Sequence, residues 1–269
     1  MKGVFQTLWD GYTRLTPSAK VIHDLFESNG DTIVNDHIAI RTFNDSRVDI
    51  AKMAEPFISL GYVEAGTYEF PAKKLFAKHF HIPGNSNAPK VFISELKLEL
   101  MSDSLRRSVS LILDSVDPAD LEDPNLVLTG RPWSKPSHQL YEKLREESEY
   151  AAWMYLYGFC ANHFTVNVNE LKGFESLEAV NDALEAEGFT LNASGGKIKG
   201  SKEQGLEQSS ILADLQDFDF VEGVYKVPTC YYEFAMRHEL NGELFDGFIA
   251  GSADKIFEST DLKLQTKLS

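Results

Sequence analysis

Cysteine is nearly absent: Cys160 and Cys230 are the only two in 269 residues, which leaves no material for a disulfide framework. A reducing compartment, the cytoplasm, is the expected home. Positive charge is also scarce, with 26 lysines and arginines against 41 aspartates and glutamates, a formal charge of −15. That sign opposes a phosphate backbone and an anionic bilayer, so neither nucleic acid nor membrane is an expected partner. No uncharged apolar run approaches the roughly 20 residues of a membrane helix. Met1 to Asp10 mix polar and apolar side chains without the apolar stretch of a signal peptide, so folded protein is expected from residue 1 onward. What is present is a globular composition, 43% hydrophobic and 12% aromatic. A single domain over 1–269 is expected.

Local patterns give an α+β order. Thr16-Pro17-Ser18 reads as a helix start, and Val21, Ile22, Leu25 and Phe26 recur at helical spacing before Gly30. His37 to Phe43 is strand-like, Val48 to Leu60 helical, and Tyr62 to Phe70, Lys74 to Ile82 and Val91 to Leu100 are further strands. A partly helical connector, 101–158, ends in one long helix predicted from Ser137 to Tyr157. The early order then returns: strand at His163 to Val168, helix at Ser176 to Glu187, and a final strand at Val227 to Leu240. His37 lies 24 residues before Gly61 and His163 lies 25 before Gly188, which predicts an internal repeat with modules at about 31–100 and 159–241. Aligning the last strands places Glu95 opposite Glu233 and assigns the second copy's extra length to the glycine-rich Asn192 to Gln208. Two paired β-α-β-β-β modules can form one curved sheet around a cleft.

Such a cleft suits a metal. His37 and His163 begin equivalent strands and Glu233 sits in the last, so two imidazoles and one carboxylate can converge from separate rigid elements. On a strand Arg41 shares the face of His37. A two-histidine, one-carboxylate set leaves open positions, as in non-haem iron(II) oxygenases.

These residues also carry a resemblance. His37-Ile38-Ala39-Ile40-Arg41, Phe70-Pro71-Ala72-Lys73-Lys74, Glu207-Gln208-Ser209-Ser210 and Cys230-Tyr231-Tyr232-Glu233-Phe234 resemble the 2-oxoadipate dioxygenase/decarboxylase family, known also as DUF1338, over roughly residues 15 to 250. The resemblance implies a vicinal oxygen chelate-like fold. It implies iron(II) on His37, His163 and Glu233, a place that zinc, nickel or manganese can take in purified protein. It implies that Arg41 binds a substrate carboxylate, and that 2-oxoadipate and O2 give 2-hydroxyglutarate and carbon dioxide, a reaction usually set in lysine catabolism. Gln208, Ser209 and Ser210 are expected to offer donors to the bound acid. Glu95 is expected to pair with Lys97 rather than to ligate.

Two other readings use the same residues: a glyoxalase-type isomerase or lyase, which consumes no oxygen, and a non-catalytic binder of a small acid or metal, whose site would be expected to close its coordination. Elsewhere, His79 and His81 share a strand face without a third donor. Cys160 and Cys230 read as small core hydrophobes. Gly195 to Lys202 has the wrong residue order for a phosphate loop and is expected to be a mobile loop over the cleft. Of Lys73 and Lys74, strand alternation allows one to face inward, and His23, His138 and His238 have no evident partner.

Overall fold

Pro17 at the first helical position and apolar residues three and four apart make α2 (Pro17–Ser28), which packs on α1 (Lys2–Leu15). The computed structural model describes residues 2–260. The first repeat is β1 (Asn35–Phe43), α3 (Ile50–Ser59), β2 (Val63–Phe70), β3 (Leu75–His81) and β4 (Lys90–Leu96). The connector holds α4 (Asp103–Asp114), α5 (Pro118–Glu122), α6 (His138–Glu147) and α7 (Glu149–Tyr157). The predicted single helix from Ser137 is broken at Ser148, whose extended backbone ends α6 and whose hydroxyl accepts from the Ala151 N–H to begin α7. All but the first residue of α7 are buried.

The second repeat is β5 (Ala161–Asn167), α8 (Leu177–Ala186), β6 (Lys199–Ser201), β7 (Leu206–Ser210), a hairpin of β8 (Leu215–Phe220) and β9 (Gly223–Pro228), then β10 (Glu233–Arg237). Much of the added length of the second copy is therefore the β8–β9 hairpin, not the Asn192 to Gln208 loop, and Val227 belongs to that hairpin rather than to the last strand. The main sheet has eight strands in the order β2-β3-β4-β1-β5-β10-β7-β6. Each repeat supplies four, related by a pseudo-dyad at the antiparallel β1–β5 seam, where His37 pairs with Thr165 and Ala39 with His163. The expected module order is present. Across the outer partners Thr165 pairs with Glu233 and Ala39 with Phe92, so the dyad equates Glu233 with Phe92, not with Glu95. Three residues further along β4, Glu95 accepts the backbone N–H of Ile50 at the start of α3, and Lys97 pairs with Glu69 instead.

After β10 a small hairpin, β11 (Glu239–Leu240) and β12 (Glu243–Leu244), leads to α9 (Ala250–Ile256) and a 3-10 turn, Phe257–Thr260. Helix α9 touches β2 at one edge of the sheet and β6 and β7 at the other, so this C-terminal strap spans the concave face. No described helix is long and apolar enough to cross a membrane.

Candidate metal centre

Strands β1, β5 and β10 bring His37, His163 and Glu233 together on the concave face, all buried, with their donor atoms within 4.8 Å of one another. His163 Nε2 lies 3.1 Å from Glu233 Oε2, and His37 Nε2 lies 3.5 Å from Glu233 Oε1. Donors about 2.1 Å from one ion stand roughly 3.0–3.4 Å apart around it, so these spacings fit the edges of a coordination polyhedron.

The imidazoles are held from behind. A register shift in β1 between Asn35 and His37 breaks strict alternation at Asp36, and the carboxylate turns back to the ring beside it. Its Oδ2 lies 2.7 Å from His37 Nδ1, while Arg237 grips the same carboxylate through Nε at 2.6 Å and Nη2 at 2.9 Å. Burial works against the charge on Asp36, yet Arg237 and then His37 hold it far below the usual carboxylate range. His163 Nδ1 lies 3.2 Å from Asn162 Oδ1, and its ring stacks on Tyr231 at 4.7 Å. With both Nδ1 atoms donating, both Nε2 lone pairs face Glu233, the tautomer a metal ligand needs. Thr165 Oγ1 stands 3.0 Å from His37 Nε2 and can donate to it.

The electrostatics also call for a cation. Burial pushes Glu233 above the usual carboxylate range, partly offset by His37 and by Gln208, whose Nε2 donates to Oε1 at 2.6 Å. Glu233 Oε2 is buried with no hydrogen-bond partner. Burial, then His37 and Arg41, hold His163 well below the ordinary imidazole range, hence neutral. Two imidazoles and a carboxylate short of partners suit a divalent transition metal.

Arg41 lies on the same strand, buried, with its guanidinium 5.0 Å from the Tyr150 ring, 4.9 Å from Trp153 and 5.7 Å from Phe257. It meets aromatic faces and the Thr260 hydroxyl, 3.5 Å from Nη2, rather than a carboxylate. Of the three predicted donors in β7, only Gln208 lines the metal chamber. Ser209 points the other way, where its hydroxyl donates to Asn181 of α8 at 2.7 Å, so the expectation that it faces the acid is corrected by strand alternation. Ser210 meets Ser259 of the strap at 2.9 Å.

The chamber over the donors is walled by Phe92, Tyr231, Phe248 and Phe257, with about 20 Å³ of free space. Beyond Phe257 lies an outer cavity of about 220 Å³ lined by Arg41, Lys73, Lys74, Tyr150 and Glu258 among others. Both lysines line it, contrary to the alternation argument, because Pro71–Lys73 is a 3-10 turn and Lys74 is left-handed. His79 bonds Tyr68 at 2.9 Å and His81 bonds Asp246 at 2.9 Å, so neither joins the cluster. Burial pushes the Cys160 thiol up to about 12 and the Cys230 thiol well above its ordinary value, as for packing residues. Asn192, at the head of the glycine-rich Asn192 to Gln208 stretch, donates to the Lys255 carbonyl and to Ser259 and so props the strap. Sequence reasoning missed the Asp36–Arg237 pair and the strap itself. The signal for the first was Arg237 four residues after Glu233; the strap lies past the repeat.

The family profile described as 2-oxoadipate dioxygenase/decarboxylase matches residues 12–245. An Arabidopsis thaliana protein named 2-oxoadipate dioxygenase/decarboxylase, chloroplastic, is 37% identical over 93% of this chain and 74% of its own length. The crystal structure of an Oryza sativa hydroxyglutarate synthase in complex with 2-oxoadipate superposes with a TM-score of 0.90 at 33% identity, over 98% of this chain and 93% of that one. A Shewanella frigidimarina protein described as a candidate hydrolase is 47% identical, with a TM-score of 0.87 over 93% of this chain and 97% of its own. A Ralstonia eutropha glyoxalase-superfamily protein, 21% identical over 93% of this chain and 86% of its own with a TM-score of 0.78, shares the fold.

Proposed function

The chain belongs to the 2-oxoadipate dioxygenase/decarboxylase family, and on that premise we propose that it is an iron(II)-dependent enzyme converting a dicarboxylic 2-oxo acid, 2-oxoadipate first, and O2 into 2-hydroxyglutarate and carbon dioxide. One observation carries the reading. The metal-ligand cluster stands beside a buried arginine that meets aromatic rings and a hydroxyl where a carboxylate would be expected. His37, His163 and Glu233 would hold the iron, which when bound supplies Lewis acidity toward a 2-oxo acid and one-electron chemistry with oxygen.

The chain's own groups do the rest. Arg41 binds a substrate carboxylate as a fork, its plane already fixed by Tyr150 and Trp153, so little rotamer freedom is lost on binding. Tyr231 keeps its proton because burial, and then Glu233, push its phenol well above the usual range, an effect that the neighbouring Arg41 only partly offsets. That O–H can donate to a substrate oxygen. Phe92, Phe248 and Phe257 exclude water from the reacting atoms. The glyoxalase-type reading has no comparable support: the curated relatives carry the dioxygenase name. Cysteine use fits any reducing compartment, the cytoplasm proposed here as well as the chloroplast of the plant relatives' names.

The test is an oxygen-electrode assay of ferrous-loaded protein with a series of 2-oxo acids. One O2 consumed per carbon dioxide released from 2-oxoadipate is expected; no uptake with any 2-oxo acid would overturn the reading.

A further inference from the structure

About 20 Å³ over the metal ligands holds roughly one water molecule, so a six-carbon diacid cannot occupy the chamber as it stands. The strap closes it. Phe257 walls the chamber on one side and the outer cavity on the other, and it packs edge-on against Phe70 at 5.3 Å. The strap is fastened at both edges of the sheet. On the second repeat Asn192 and Ser210 hold Ser259, and Ser194 bonds Glu258. On the first repeat the fastening is ionic: Lys73 Nζ lies 3.4 Å from Asp254 and 3.6 Å from Glu258, all three partly exposed. The outer cavity meets that ion pair directly, and its lining sets Lys73, Lys74 and Arg41 against Glu147, Glu149 and Glu258, of which Glu147 is bonded to Ser102 and Glu149 lies 3.8 Å from Arg145.

We infer that the outer cavity is a docking site for the dicarboxylate and that Lys73 is its latch. A substrate carboxylate competes with Asp254 and Glu258 for Lys73, frees the strap at its first-repeat edge, and lets Phe257 move so that the outer cavity and the metal chamber become one. The inference rests on the proposed function for the identity of the diacid. It assigns Lys73 the role of a positioning residue, acting through the strap rather than on the reacting atoms.

Hydrogen exchange of segment 250–260 in the ferrous protein under anaerobic conditions tests it. Adipate, which lacks the 2-oxo group, should accelerate that exchange at least threefold, and uncharged 1,6-hexanediol should not. In Lys73→Met the exchange should be fast from the start and indifferent to adipate, and Lys73→Arg should restore both the slow exchange and the response. An Asp254→Asn, Glu258→Gln double variant, which removes the other half of the latch, should also exchange fast without ligand. The kcat/KM for 2-oxoadipate should fall about tenfold in Lys73→Met. A strap that ignores adipate in the wild type, or a Lys73→Met protein that still answers it, overturns the latch. Oxygen uptake with an unresponsive strap removes the latch alone, whereas a responsive strap without uptake removes the oxygenase reading alone.

Discussion

Glu233 and His163 oppose the metal-free fold from opposite directions in pH. A carboxylate whose folded pKa is raised holds its proton more tightly folded than unfolded, so its contribution to stability is lost as pH rises above the unfolded value of about 4.3. A depressed imidazole has the reverse sign: its contribution is lost as pH falls below about 6.5, where the unfolded chain takes up a proton that the folded chain refuses. A dication between them relieves the first and matches the second. Metal-free Glu233→Gln should therefore melt above the metal-free wild type at pH 7, while losing most of its metal. Saturating ferrous iron should raise the wild-type melting temperature by on the order of 10 °C and leave the variant nearly unmoved, read by calorimetry with metal analysis. A variant that keeps full metal content would remove Glu233 from the ligand set. Arg41 is a separate matter, because it touches no proposed ligand. Arg41→Ala should keep the metal and lose about 2–5 kcal/mol of transition-state binding, read as a fall of roughly 30- to 5000-fold in kcat/KM, and Arg41→Lys should recover only part because an ammonium cannot form the fork. Metal loss in Arg41→Ala would tie the arginine to the cluster instead.

Helix α7 joins the arginine to the second histidine. Its Tyr150 and Trp153 face the Arg41 guanidinium, and one residue beyond its end Gly158 turns the chain into β5, where His163 sits. Gly158 has φ +66°, and a Cβ there would lie 2.3 Å from the Gly130 carbonyl oxygen and 2.7 Å from Arg131 Cα. Those are backbone atoms and cannot give way. Gly158→Ala should cost at least about 2–3 kcal/mol in urea denaturation. A cost within 0.5 kcal/mol would mean that the turn is more pliant than its bridge between Gly130 and Phe159 implies. At this scale the sequence was readable where periodicity and caps agree, as at Ser137, Ser176 and the histidine strands. It misled where one residue acts against the period. Ser148 both ends and starts a helix, and the shift at Asp36 turns that carboxylate to its neighbour's ring, so neither feature shows in a pattern of apolar spacing. Val227 reads as the start of the final strand because it is apolar and extended, as a residue of the β8–β9 hairpin also is.

The main sheet is two copies of one four-stranded module meeting at a seam, and the seam explains the three-ligand count. The dyad relates His37 to His163 and Phe92 to Glu233, so a four-donor ring is reduced to three by one apolar side chain. Alignment by sequence alone slipped by three residues and set Glu95 against Glu233, because both last strands carry a glutamate and only strand pairing fixes the register. Phe92 lines the chamber with the ligands and packs at a tilt against Phe248, ring centroids 5.0 Å apart, so it keeps the fourth corner apolar and free of a protein donor. Restoring the symmetric carboxylate should close that corner. Phe92→Glu is expected to hold metal more tightly than the wild type, seen as slower loss to a chelator, while turnover of 2-oxoadipate falls more than tenfold because a protein oxygen competes for a position the substrate or oxygen must use. Phe92→Leu, which keeps the corner apolar, should retain ordinary metal affinity and most of the turnover. If Phe92→Glu were to lose metal while remaining folded by circular dichroism, the fourth corner would not be part of the coordination sphere, and the dyad would describe the sheet without describing the site.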